Sequence, residues 1–553
     1  MTSARKGAVV GAGVALLAAA LHAGALGHGF LNWDDNRFIT GNPLFADGGW
    51  AYVRAALSQV QFDAYHPLHL LSYLPDRWLW PQSPAGFVAV DLALFALDVF
   101  LLFQLARRHA CLPGAAVAAL LFAAHPLCVE PALWISARKD LLAMVFFLGV
   151  FLLEDARDPT DGRLRPAGIA LFAAAVLAKT STLCLPPLLW GWLVWMRRAP
   201  ARTALRRAIP YTLLSLIPAI AVLTVWRGHQ MIAVRPTAAP VDVLATLATY
   251  ARRTIWPSDL SAIYPEVMPR PVLSAALAAT FAIAAWLGWR RLPPPARFAV
   301  FAFPVALLPV ANIVPVVFRF ADRYAFLALG MLVPPAAIGL EALFRARRPR
   351  HARRFVAIGA VAAVTISLAL ASLVLAATWK DSRALWAHAS AVHPDALLAR
   401  LKYGETLRDL GEWTPATAEY QAAVRLRPNN PLGYAGLFNL YATRAEAEGR
   451  LPPGTARRWL GQLGAAMDDP AAFAALLSRV PRAACPECAN SLLLLNLRRW
   501  PQPDPSLRRA ARAALDRGMP DAAFVFLSQA VDQQAPEWIA LYADSRRAAG
   551  LSQ

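Results

Sequence analysis

Phe30-Leu31-Asn32-Trp33-Asp34-Asp35-Asn36-Arg37-Phe38-Ile39-Thr40-Gly41-Asn42-Pro43 comes directly after the first long apolar run, Ala8 to Leu26. That run follows Arg5-Lys6, is long for a signal peptide and lacks a small-residue cleavage site, so it reads as a retained anchor with its basic start inside. The Asp34-Asp35 stretch then lies outside, where the chain leaves the bilayer, and every later apolar block takes its direction from it. Two adjacent carboxylates beside an aromatic at such an edge suit proton chemistry on a substrate that arrives through the membrane. The same pair also suits a plain backbone role, because Asp and Asn cap helices and shape turns.

Working outward, 58% of the 553 residues are hydrophobic, 16% are charged and 18 are Trp. The apolar residues come in blocks of roughly 18 or more, the length that crosses a hydrocarbon core. This is the composition of a polytopic membrane protein. The formal charge of +20 does not indicate nucleic acid, since the basic residues sit in short clusters between apolar blocks, the positive-inside pattern. Clusters at 197–207 and 345–354 then belong inside, with the N-terminus. About eleven spans follow, ending near Ala376. The expected fold is all-α: a membrane helical bundle over 1–378, then an outer helical domain over 379–553.

The loops between spans carry the polar chemistry. The first outer loop continues through Tyr65-His66-Pro67-Leu68 to Trp78 and Trp80, a composition for helices lying in the interface plane. In the span that follows, Asp91 and Asp98 are seven apart and share a face that should point into the protein. The next outer edge holds His125-Pro126, Glu130, Trp134 and Arg138-Lys139-Asp140. A later one holds Tyr250-Ala251-Arg252-Arg253 with Trp256-Pro257, and Phe318-Arg319-Phe320-Ala321-Asp322-Arg323-Tyr324 follows. Arg138, Lys139 and Arg323 fall at one edge, suited to an anionic phosphate or to snorkelling from span ends. His66 and His125 each precede a proline and serve either a hydrogen bond to substrate or the turn itself.

Leu397 to Asn430 has the spacing of a tetratricopeptide repeat: Tyr403-Gly404, Leu407, Gly411, Trp413, Ala416, Tyr420, Ala423 and Pro428-Asn429-Asn430. Gly404, Ala416 and Ala423 let two antiparallel helices approach, while Tyr403, Leu407 and Tyr420 fill the space between them. Helices before and after make about three repeats, with degenerate ones to the end, for example around Gly518 and Ala523. Such arrays present concave binding surfaces, so Tyr403, Tyr420 and Tyr434 are candidates for acceptor binding; a rigid cap without ligand is the alternative. Cys485 and Cys488 form the only close cysteine pair and, outside an oxidising membrane, are expected to be disulfide-bonded.

Taken in order, Trp33-Asp34-Asp35 with Asn42-Pro43, Tyr65-His66-Pro67-Leu68, His125-Pro126 with Glu130, Trp134, Arg138-Lys139-Asp140, Trp256-Pro257, Asp322-Arg323-Tyr324 and the repeat unit resemble the transmembrane and tetratricopeptide-repeat glycosyltransferases. These include O-mannosyltransferases of that architecture and their bacterial relatives. The chain departs from them at Ala178-Lys179-Thr180-Ser181-Thr182, where a proline is expected soon after the lysine. The resemblance implies a class C glycosyltransferase fold in the cell's inner membrane, an acidic catalytic residue in the first outer loop and a polyprenyl-phosphate sugar donor. An acceptor hydroxyl of a protein or glycan would attack the anomeric carbon with inversion. Asp34 is then the expected base, with Asp35 orienting it or holding a divalent cation, a cofactor left open. Donor phosphate and sugar would meet Arg138, Lys139, Arg323, His66, His125 and Glu130, and the repeats would recruit the acceptor. Two other readings stand beside this one: an inert membrane scaffold whose repeat domain recruits envelope-assembly partners, and a lipid-linked oligosaccharide ligase. An enzyme brings its polar groups to one cavity; a scaffold scatters them.

Overall fold

The computed structural model describes residues 3–59, 65–81, 83–228, 240–265, 271–313, 318–345, 351–428, 430–448 and 511–512. All regular structure among them is helical, and the chain divides into two compact units, Met1–His393 and Pro394–Gln553. The expected boundary near 379 differs from this division because the helix over Ser382–Val392 packs with the first unit, its Trp386 Nε1 donating to Asn32 Oδ1 at 2.5 Å.

In chain order the first unit begins with α1 (Ser3–Leu21) and the short loop helices α2 (Pro43–Asp47), α3 (Trp50–Ser58), α4 (Pro67–Leu71) and α5 (Leu74–Leu79). The longer α6 (Pro84–Arg107), α7 (Leu112–Ala123), a turn of helix α8 (Val129–Leu133), α9 (Arg138–Asp155) and α10 (Pro166–Ala178) follow. Then come α11 (Leu185–Gly191), α12 (Ala201–Gly228), α13 (Pro240–Ile255), α14 (Pro271–Gly288), α15 (Pro294–Leu307), α16 (Phe326–Arg345), α17 (His351–Thr378) and α18 (Ser382–Val392). Proline in the first turn starts α2, α4, α6, α7 and α10, where its missing N–H breaks no helical bond. Asn42 caps α2 by accepting from the Phe45 N–H at 3.3 Å, and Gly48 ends it at φ 59°.

About eleven spans were expected; among the described residues four helices are long and apolar enough to cross a membrane. They are Pro84–Arg107, Pro271–Arg291, Asp322–Leu343 and Phe355–Thr378, with a fifth if α7 and the segment Pro126–Leu133, bent by 65° against each other, count as one. Two of the other apolar runs fall short for physical reasons. α10 has 13 residues, which at the helical rise reaches only about 20 Å against a core of about 30 Å. α9 carries Arg138, Lys139 and Asp140 at one end with Glu154 and Asp155 at the other. A hydropathy count sees apolar residues, whereas crossing needs one unbroken helix. The four spans also differ in setting: only 6% of the Pro271–Arg291 span and 11% of the Phe355–Thr378 span are buried within the protein, against 56% for each of the other two.

Two ion clusters hold the bundle. Asp91 and Asp98 both face inward as the spacing predicts, each wholly buried. Asp91 pairs with Arg138, whose guanidinium also pairs with Asp76 and donates to the carbonyls of Ser72 at 3.1 Å and Phe87 at 2.9 Å. One arginine thus ties α9 to α5 and α6. At the far end of α9, Glu154 accepts from Arg157, Arg207 and Tyr211, and Asp155 accepts from Trp192 Nε1 at 3.0 Å and meets His109 at 2.8 Å. The basic cluster at 197–207, without acidic company in sequence, therefore finds its carboxylates in space, from the end of another helix.

In the second unit, α19 (Leu397–Asp409) and α20 (Trp413–Leu426) form a hairpin turned at Gly411, φ 74°, and α21 (Pro431–Glu448) packs on α20. Tyr420, 3% exposed, sits in a core with Leu407, Ala416, Leu437 and Leu440. A Cβ on Gly436 would fall 2.2 Å from its ring, so only glycine lets the helix approach. Of the tyrosines expected to bind an acceptor, Tyr420 and Tyr434 are buried, which leaves their rings little surface for a ligand, and Tyr403 is half-buried against the same core. Cys485 and Cys488, like Gly518 and Ala523, lie outside the described residues.

Replacing Arg138 by glutamine leaves Asp76 and Asp91 buried without a counter-charge. A loss of about 3–5 kcal/mol is expected, the range for breaking a buried pair from one side. Thermal unfolding in detergent measures it; an unchanged melting temperature contradicts the tie.

Candidate functional site

The loop after α1 is fixed by its second carboxylate. Asp35 is fully buried, and its Oδ2 accepts from the Leu31 N–H at 2.9 Å while Oδ1 accepts from the Ser136 N–H at 3.1 Å and from the Ser136 hydroxyl. The first pair closes a local turn, and the second fastens the loop to the turn before α9. Asn32 adds a further hold, its N–H donating to Ser382 Oγ at 2.9 Å. Trp33 fills the space between these attachments, with ring centroids 6.0 Å from Trp134 and 5.1 Å from both Phe318 and Trp386.

Asp34 sits between these anchored neighbours and points elsewhere. Its side chain is 22% exposed, and Arg37 Nη1 stands 3.7 Å from it. Next to it comes Lys139, whose ammonium lies 5.6 Å from the Phe38 ring and 6.0 Å from that of Trp134. Lys139 makes no ion pair or hydrogen bond among the described residues, while the charges of Arg323, Asp34, Lys179 and Asp140 all reach it. It is a cation held by aromatic faces and by long-range charge, with its three N–H donors available.

Beyond Lys139 lies a pocket whose lining includes Asp140, Lys179, Arg323 and Tyr324 together with apolar Val310, Phe326 and Leu327. Arg323 reaches it from the turn before α16. Glu130 holds that turn, accepting the Arg323 N–H at 2.9 Å on one oxygen and the guanidinium on the other, and the guanidinium lies over the Trp134 ring at 5.1 Å. Lys179 arrives from the end of α10 and pairs with Asp140. His66 borders the same region, its Nε2 accepting from the Thr180 N–H at 3.4 Å. Burial first, then the neighbouring Lys139 and Lys179 charges, push its pKa down to about 3, so it is neutral.

Two expected site residues have other work. Arg138 is wholly buried with its donors engaged by Asp76, Asp91, Ser72 and Phe87, which corrects its assignment to the donor phosphate. His125 shapes a turn: Nδ1 accepts from the Leu127 N–H at 3.2 Å and Nε2 meets the Thr254 carbonyl at 3.0 Å. Sequence reasoning passed over Lys179 and Asp140 as site residues. The signal was present, a lone lysine between the apolar runs Pro166–Ala178 and Leu185–Gly191. Among the described residues no group of three or more His, Cys, Asp or Glu could hold a metal ion.

The arrangement offers a partly exposed carboxylate, an unpaired ammonium and a pocket with both cationic and apolar walls. It suits an amphiphile with an anionic head, placed beside a group able to take a proton.

No family model matches the chain, and no solved structure does. Two curated proteins are similar to part of it. Protein O-mannosyl-transferase TMTC3 of Mus musculus is 28% identical over 123 residues, which make up 22% of this chain and 13% of that protein. Protein O-mannosyl-transferase TMTC3 of Homo sapiens is 25% identical over 123 residues, with the same shares. The likeness is thus distant and spans about an eighth of these relatives' length.

Proposed function

We propose that this protein is a membrane glycosyltransferase that moves a sugar from a polyprenyl-phosphate donor to an acceptor hydroxyl by a single inverting displacement. The observation that carries the reading is Asp34, the loop's one partly exposed carboxylate, within reach of the unpaired Lys139, which adjoins in sequence the Asp140 of a cationic, partly apolar pocket. The partial likeness to a protein O-mannosyl-transferase supports the same class. Asp34, Lys179 and Arg323 lie within electrostatic reach of Lys139 without the enclosed pairing of the Arg138 and Glu154 clusters, which favours an enzyme over a scaffold.

In the step, the acceptor oxygen bonds to the anomeric carbon as the bond from that carbon to the phosphate oxygen breaks. Asp34 takes the hydroxyl proton, and the phosphate leaves with the electron pair. Lys139, with Arg323 behind it, offsets the charge that develops there. Asp35 touches no reactant. It is a positioning residue, holding the loop on Ser136 so that Asp34 faces the pocket. The reaction would take place on the outer face of the cell's inner membrane, with the helices of the second unit recruiting the acceptor through surface residues and not through the buried tyrosines.

Asp34→Asn keeps size and removes the proton acceptor. Transfer from a polyprenyl-phosphate sugar by the purified variant should fall by roughly 100-fold or more while donor binding persists. Unchanged turnover ends the case for Asp34 as the base.

Asp35 makes a different prediction. Burial pushes its carboxyl up to about 6 from the usual 3.8, outweighing the Ser136 and Leu31 donors that favour the charged form. A folded pKa above the unfolded one means its contribution to stability is complete below about pH 4 and is lost as pH rises through about 6. In Asp35→Asn that dependence disappears. The stability advantage of wild type over the variant should therefore shrink between pH 4 and 7, by on the order of 3 kcal/mol. Melting temperatures across that range measure the difference, and a constant gap contradicts it.

A further inference from the structure

The two paired cations of the pocket are held in different ways. Glu130 binds Arg323 with both oxygens, one on the guanidinium and one on the backbone N–H at 2.9 Å. Asp140 gives Lys179 only Oδ1; its Oδ2 is buried and has no hydrogen-bond partner. A buried carboxylate with one oxygen unsatisfied keeps part of its desolvation penalty. The Arg323 clamp is complete and the Lys179 clamp is half made. Lys179 also lies 5.6 Å from the Tyr324 ring and has N–H donors beyond the one given to Asp140. It can be taken over by a better anion, one with several oxygens, once the side chains lining the pocket open to admit it.

We propose that Lys179 is a second phosphate-binding cation of this site, and that Asp140 occupies it in the empty protein as an internal competitor for the phosphate of the lipid donor. The inference rests on the glycosyl-transfer reading and adds to it a residue and a built-in competition. When a phosphate enters, its oxygen replaces Asp140 Oδ1 on the ammonium. Lys139 supplies the neighbouring charge, and the first isoprene units lie along Val310, Phe326 and Leu327. Charge balance explains why the competition is useful. An empty pocket with Lys139, Lys179 and Arg323 all unpaired would carry three positive charges in a low dielectric, a state that Asp140 and Glu130 prevent.

The two members of a purely structural ion pair, when removed singly, both weaken the protein and its binding. A competitor and its target respond in opposite directions. Binding of farnesyl phosphate to the full-length protein in detergent, by titration calorimetry, separates the cases. Lys179→Gln should weaken it by about tenfold, the scale of one charge-assisted hydrogen bond. Asp140→Asn should tighten it by roughly threefold or more, because the ammonium no longer has an anionic partner to leave. The double variant should bind close to Lys179→Gln, since Asp140 pairs directly with Lys179 and reaches Lys139 and Arg323 only by longer-range charge. If Lys179→Gln does not accumulate as folded protein, the sign of Asp140→Asn decides alone: tighter binding supports the competition and weaker binding overturns it. Inorganic phosphate and farnesol serve as the other arms, and both should bind more weakly than farnesyl phosphate. Equal affinity for inorganic phosphate would make this a free-anion site and overturn the lipid assignment. Farnesyl phosphate binding that ignores both substitutions overturns the role of Lys179 and leaves the glycosyl-transfer reading standing. A wild-type protein that binds no farnesyl phosphate at all overturns both.

Discussion

The buried carboxylate of Asp35 is the constraint on which the site depends. It joins a loop near the start of the chain to Ser136, a residue 101 positions later, and does so through the backbone N–H and the hydroxyl together. A carboxylate taken out of water needs such donors, and the loop's own Leu31 N–H satisfies only Oδ2, leaving Oδ1 to Ser136. Once Asp35 is turned inward, the adjacent Asp34 has to face the other way, toward Lys139. The division of labour between two neighbouring aspartates is therefore a consequence of one tether. Trp33, packed among Trp134, Phe318 and Trp386, stiffens the same joint.

Charge is handled in two ways in this bundle. Around Arg138 and around Glu154 the partners are numerous and enclosed, and each cluster ties helices together. Around the pocket the pairing is sparser: Lys139 lies near two aromatic rings and makes no ion pair or hydrogen bond among the described residues, and Lys179 has Asp140 as its one ion-pair partner. The difference lies in the number of partners around each cation and not in full satisfaction, since Asp91 Oδ2 in the Arg138 cluster is also buried without a hydrogen-bond partner. This contrast distinguishes framework from site in a protein whose charged residues are few and all conspicuous in sequence.

Much of this was legible from residue order alone. The aromatic loop with its paired carboxylates, the inward face of Asp91 and Asp98, and the helical hairpin from Leu397 onward all follow from local pattern and periodicity. What local pattern could not supply was pairing across distance. Arg138 looks like a phosphate ligand because it stands at a membrane edge beside Lys139, yet Asp91, 47 positions away, claims it. Lys179 and Asp140 are 39 positions apart and meet only when α10 folds back on α9. Asp34 and Asp35 are equivalent in sequence until Ser136 chooses between them. Part of the excess of expected spans has a similar origin, since short runs such as α10 score as apolar without being long enough to cross. Tyrosines at repeat positions were assigned to a surface when their size makes them the filling between the helices.

In the proposed reaction a lipid phosphate occupies the pocket lined by Asp140, Lys179 and Arg323, with its chain against the start of α16. Photo-crosslinking tests this most directly, using a polyprenyl phosphate with a diazirine in its first isoprene units and peptide mapping by mass spectrometry. Label on residues 139–143 and 306–327, competed away by unmodified lipid phosphate, is the predicted result. Label confined to α14 and α17, the helices with little cover from the rest of the protein, or label that competitor does not displace, would contradict the account.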